Sequence, residues 1–158
     1  MKWTLSLILA LCLGSQAWGA EPGTDNNNLK VKVGPFFIQE SEKMIKLEGT
    51  GPHVVRKGKR INITVTIENY GKEKSEPVKL KYMESGGKAG EPRVYGVPAI
   101  EPGQKWERTF MVRYDVSGKK SVTAALSTLE NKPMMDAKGT PRPRTSDTGI
   151  VNLAVTDM

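Results

Sequence analysis

The chain has 158 residues, room for one ordinary domain, with 24 lysines and arginines against 17 aspartates and glutamates and a net charge of +7. One cysteine and one histidine leave no material for a disulfide framework or a cysteine-rich zinc site. A positive balance of this size favours anionic partners: phospholipid headgroups, acidic polysaccharide, acidic proteins or nucleic acid.

The first residues read as an export signal. Lys2 is the positive start, Leu5 to Leu13 (LSLILALCL) is a short apolar run, and Gly14 to Ala20 is rich in small residues. Cleavage after Gly19 puts Ala17 and Gly19 at the two small-residue subsites. The apolar run is shorter than the roughly 20 residues that span a bilayer. The expected organisation is a signal peptide over 1–19, a polar leader over 20–28 and a β domain over 29–157, with a long loop at 129–149. The protein is then exported, to the periplasm or beyond the cell, with no transmembrane segment in the mature chain. That address sets nucleic acid aside as a partner. Cys12 falls inside the signal, so the exported domain relies on its core and not on disulfides.

Along the chain, Leu29 to Val33 alternates and predicts a first strand. Phe36 to Glu40 and Met44 to Leu47 predict further short extended pieces, and Gly49 to Gly58 is rich in turn residues. Ile61 to Ile67 is the clearest strand: Ile61, Ile63, Val65 and Ile67 face one way, Asn62, Thr64, Thr66 and Glu68 the other. Val78, Leu80 and Tyr82 make the next strand, and a short one follows at Arg93 to Val97. Trp106, Phe110, Val112 and Tyr114 share one parity, interrupted by Arg108, whose aliphatic stem can lie along apolar surface. Val122, Ala124 and Leu126, then Val151, Leu153 and Val155, complete the set. Seven or eight short strands without an amphipathic helix predict an all-β, antiparallel β-sandwich of Ig-like type.

Four stretches sharpen this expectation. They are the glycine-led strand Gly58 to Ile67, the strand end Glu68-Asn69-Tyr70-Gly71, the strand start Glu76-Pro77-Val78-Lys79-Leu80, and the turn Ile100-Glu101-Pro102-Gly103-Gln104; Gly118 then opens a strand. Together they resemble the bacterial Ig-like modules of the CARDB type, the cell adhesion related domain found in bacteria. Asn and Gly tolerate positive φ at such turns, and Pro-Gly favours a tight reversal. The resemblance implies a sandwich that binds or displays, and it carries no catalytic residues to transfer.

The residue types needed for chemistry are scarce. A nucleophilic dyad needs a base beside its nucleophile. The only histidine, His53, sits in Gly51-Pro52-His53 and is expected to be an exposed loop residue. Asp25-Asn26-Asn27-Asn28 reads as loose leader before it reads as a calcium loop. Thioethers are soft copper ligands, but the methionines show no Met-x-Met or His-x-Met spacing. The glutamates lie among lysines, as on a solvated, salt-bridged surface. The expectation is a non-catalytic protein with no catalytic residue, no metal and no cofactor.

For binding, the segment 129–149 (LENKPMMDAKGTPRPRTSDTG) stands out, because compact domains rarely hold a loop that long without a role. Lys132, Lys138, Arg142 and Arg144 make it basic, Pro141-Arg142-Pro143-Arg144 would be stiff with its guanidinium groups outward, and Met134 and Met135 offer adaptable apolar contacts. The partner-binding residues expected are therefore Lys132, Met134, Met135, Lys138, Arg142 and Arg144. An exposed sheet edge is the second candidate surface, unless Lys30 and Lys32, or Lys79 and Lys81, guard it. The expected function is an adhesion-type module at the cell envelope, presenting a basic loop or a sheet edge to a protein or an anionic polymer. The alternatives are a periplasmic accessory subunit or chaperone and, from another class, a copper-binding carrier.

Overall fold

The alternation that marks Ile61 to Ile67 runs through the whole molecule. A computed structural model describes residues 28–40, 42–47, 52–85, 92–135, 140–142 and 147–157. The expected signal peptide, all of the leader but Asn28, and the loop residues Lys138 and Arg144 lie outside the described residues. Among the described residues there are nine strands: β1 (Leu29–Glu40), β2 (Lys43–Leu47), β3 (His53–Arg56), β4 (Arg60–Asn69), β5 (Val78–Ser85), β6 (Arg93–Val97), β7 (Lys105–Arg113), β8 (Gly118–Ser127) and β9 (Thr148–Thr156).

They form two sheets, ordered β2-β1-β4-β7 and β3-β9-β8-β5-β6. Every pairing is antiparallel except β3 with β9. The inward parity of each strand supplies the core. Ile61, Ile63, Val65 and Ile67 from β4 meet Val78, Leu80 and Tyr82 from β5 and Val122 and Ala124 from β8, all essentially without solvent contact. Each such aliphatic side chain contributes roughly 1.5–3 kcal/mol on burial. Tyr82 stacks on Phe110 with ring centroids 3.9 Å apart, which ties β5 to β7 across the core. Arg108, the polar interruption in β7, lies 3.9 Å above the Tyr95 ring and so joins the facing edges β7 and β6.

The all-β sandwich stands as expected, with nine strands in place of seven or eight. The added strand is β3, which sits inside the turn-rich stretch 49–58. Its four residues are too few for periodicity to announce them. His53 belongs to this strand and is buried at 7% exposure, its ring 4.9 Å from that of Phe36. It is a packed core residue, not the exposed loop residue expected.

The turn motifs also hold for a different reason. Asn69 does not adopt positive φ; among non-glycine residues described, only Asn131 does. Asn69 is buried, and its amide donates to Glu73 O and to Ile100 O, both at 2.8 Å, while its oxygen accepts from Gly71 N at 2.9 Å. Ser75 completes the junction by accepting from Ile100 N. One side chain thus fastens the 70–75 loop to the 100–104 turn. Gly71 is needed because a Cβ there would fall 2.5 Å from the Asn28 side chain.

Candidate anion-binding site

Strand order brings one set of strand ends together. The β3–β4 connection, Arg56-Lys57-Gly58-Lys59-Arg60, is a tight turn closed by Lys59 N donating to Arg56 O. Gly58 has φ +77°, a conformation that side-chain-bearing residues avoid, and its N–H donates to Tyr114 O. Lys57 N donates to Thr156 O. These bonds hold the turn against the ends of β7 and β9. Arg113 of β7 is the cross-strand neighbour of Arg60, and β8 starts beside the end of β9 with Gly118-Lys119-Lys120.

The charge at this end is unbalanced. Lys57 pairs with Asp157 at 2.5 Å and Arg113 with Asp115 at 2.9 Å. Among the described residues, Arg56, Lys59, Arg60 and Lys119 have no ion-pair partner. Arg60 and Arg113 stand directly opposite each other in the sheet, and Asp115 compensates Arg113 alone. Beside the turn lies a cleft of about 390 Å³ with Ile38, Val54 and Val55 as apolar lining and Arg56, Lys59, Glu40 and Thr156 around them.

Deeper at the same end, Lys120 is 5% exposed, its ammonium 5.9 Å from the Tyr114 ring centre. Among the described residues the buried Tyr114 hydroxyl has no hydrogen-bond partner, whereas the Tyr82 hydroxyl interacts with the Glu84 carboxyl; burial holds both phenols well above their ordinary pKa. An unsatisfied buried hydroxyl is unfavourable. Tyr114→Phe is expected to leave stability unchanged or raise it by about 1 kcal/mol. Denaturant unfolding of the variant checks this, and a loss above that size would show that the Tyr114 hydroxyl has a partner. Burial also raises the Glu84 carboxyl above its ordinary value, with Arg93, 2.9 Å away, acting in the opposite sense. A carboxyl whose folded-state pKa is raised holds its proton more tightly when folded. Its contribution therefore declines as pH rises from about 4.5 towards neutrality. Glu84→Gln is expected to remove that part of the decline, read from urea midpoints of both proteins across this range.

The described residues of the 129–149 segment lie at the opposite end, where β8 finishes. Met134 is 2% exposed and belongs to the core cluster. The Arg142 side chain is also inside, paired with Asp147 at 3.1 Å and donating to Leu29 O at 2.8 Å. Asn28 O accepts from Tyr70 N on the β4 side, so the next carbonyl, Leu29 O, points to the flank of β1 that β2 does not reach. Arg142 satisfies it there. Its guanidinium is not splayed outward as expected, and the segment covers a sheet edge at this point. Lys132 and Met135 remain exposed. Lys79 and Lys81 lie on β5, between β8 and β6, and guard no edge; Lys30 and Lys32 lie on the half of β1 that β2 does not pair with. The basic turn 56–60 escaped the sequence reading, although five residues with four cations are visible as such.

The two packed sheets make an Ig-like β-sandwich. The CARDB family profile matches residues 44–129, and the chain belongs to this family. The crystal structure of a CARDB domain from Pyrococcus furiosus in complex with di-metal ions aligns with a TM-score of 0.54 and 16% identity, over 81% of this chain and 87% of that one. The solution NMR structure of a CARDB domain from the same organism gives 0.55 and 14%, over 83% and 96%. No curated protein matches the sequence. CARDB domains occur in bacterial cell-surface proteins. Among the described residues no helix is long and apolar enough to cross a membrane, and no group of three or more His, Cys, Asp or Glu is placed to hold a metal ion.

Proposed function

We propose that the protein is an exported, non-catalytic adhesion-type module that works at the cell envelope, holding an anionic protein or polymer against the β3–β4 turn. The carrying observation is the turn itself. Three of its cations, Arg56, Lys59 and Arg60, have no ion-pair partner among the described residues, while backbone bonds fix the loop that bears them. Fixed geometry lowers the entropy lost on binding. The 129–149 segment is the weaker surface, because Met134 and Arg142 are engaged internally and Lys132 and Met135 alone are exposed among its described candidates.

The test is retention on native cell-envelope material at low and high salt. Arg56→Ala/Lys59→Ala/Arg60→Ala is expected to lower retention at least roughly tenfold, and salt to lower it for the wild type. Lys132→Ala/Met135→Ala is expected to bind as the wild type does. Equal retention of the triple variant and the wild type would refute the reading.

A further inference from the structure

The open flank of β3 borders the cleft beside the turn. In a parallel ladder, alternate residues direct both their N–H and their C=O to the same neighbour, and the residues between direct theirs to the other flank. Lys57 N donates to Thr156 O, so Val55 and Lys57 face β9. Val54 and Arg56 therefore face away, and no strand lies there among the described residues. Arg56 O is occupied by Lys59 N. Among the described residues nothing else pairs with the Val54 N–H and C=O or the Arg56 N–H, which form a donor–acceptor row at strand spacing. Val54 is also 62% exposed, an unusual exposure for a β-branched aliphatic residue on a strand.

The cleft next to this row has an apolar floor from Ile38 and Val55, with Arg56 and Lys59 against one carboxylate, Glu40, at its rim. We propose that this cleft takes an extended acidic segment of a partner protein, which adds to β3 as a strand. Its backbone meets Val54 and Arg56, one set of its side chains enters over Ile38 and Val55, and its carboxylates meet Arg56 and Lys59. A polysaccharide would use the cations but would leave the apolar floor and the backbone row unmatched. The inference rests on the anionic partner proposed above and specifies its chemistry as peptide.

The probes are a short synthetic peptide alternating valine with glutamate, its counterpart with lysine for glutamate, and polyglutamate. The readouts are affinity and amide hydrogen exchange by NMR. The valine–glutamate peptide is expected to bind, to slow exchange at the Val54 and Arg56 amides at least tenfold, and to shift the Ile38 and Val55 signals; the lysine peptide is expected to do none of these. Val54→Pro removes the facing N–H and no bond to β9. It is expected to weaken the valine–glutamate peptide at least tenfold while polyglutamate binding is retained. Peptide binding without protection of the Val54 amide would overturn the proposal, using the wild type alone. So would no binding, or protection at Val54 produced by self-association of the chain without peptide. The broader reading fails by a different sign: polyglutamate binding unchanged in Arg56→Ala/Lys59→Ala/Arg60→Ala.

Discussion

Replacing Asn69 with alanine is expected to lower stability by about 3 kcal/mol and the melting temperature by on the order of 10 °C. The side chain makes three hydrogen bonds to backbone groups in a site with 1% exposure. Its removal takes the described partner from Glu73 O and Gly71 N and one of two from Ile100 O, which keeps the Ser75 N–H, and each orphaned group costs roughly 1–3 kcal/mol. The backbone adds to the coupling, since Asn69 N donates to Gln104 O and Gly103 N donates to Asn69 O. Asn69→Asp separates the roles. It keeps the acceptor for Gly71 N, loses both donors and puts a charge beside the Ile100 and Glu73 carbonyls, so it is expected to be at least as damaging as alanine. Thermal or urea unfolding of both variants decides. An alanine variant within about 0.5 kcal/mol of the wild type would mean that the two loops are held by other contacts.

The second large effect contrasts two adjacent methionines. Met134→Ala is expected to cost about 3 kcal/mol, within the range for deleting a buried large side chain, because Met134 fills part of the core. Met135→Ala is expected to stay within about 0.5 kcal/mol, because that residue is exposed and touches the fold chiefly through its backbone bridge to Pro141. Met134 O accepts from Arg142 N, so the loss of anchoring should also loosen Arg142 over the β1 edge. Hydrogen exchange at the β1 amides reports this. Equal costs for the two methionines would mean that the segment does not dock as described.

The fold was legible wherever one face is dry and the other wet. β4, β5, β8 and β9 announce themselves by period two, because each buries one row of side chains and solvates the other. β3 did not, being four residues long and placed among turn residues. His53 was therefore misplaced with it. The Asn69 and Gly103 motifs were recognisable as turns, but the reason for Asn69 is tertiary: its partners at Glu73 and Ile100 come from two different loops. The 129–149 segment was misjudged for a related reason. Composition made Met134 and Arg142 look like contact residues, whereas whether a loop side chain points outward depends on the sheet beneath it. The unoccupied core space for Met134 and the exposed Leu29 carbonyl that Arg142 meets lie more than a hundred residues away along the chain in the latter case. Conversely, Arg56 to Arg60 fell between the turn-rich stretch 49–58 and the glycine-led strand from Gly58, and was not singled out. Its significance comes from Arg113, Lys119 and the cleft, which only strand order assembles.

The most direct test of the cationic turn compares two charge-reversed proteins with the same net charge. One carries Arg56→Glu, Lys59→Glu and Arg60→Glu; the other carries Lys72→Glu, Lys74→Glu and Lys132→Glu at the opposite end of the sandwich. Affinity for polyglutamate is measured for both and for the wild type across a salt series. The expected result is near-complete loss of binding in the first protein, with the second keeping most of it and a salt dependence close to that of the wild type. Equal losses in both would show that net charge alone drives binding and would contradict a site at the β3–β4 turn.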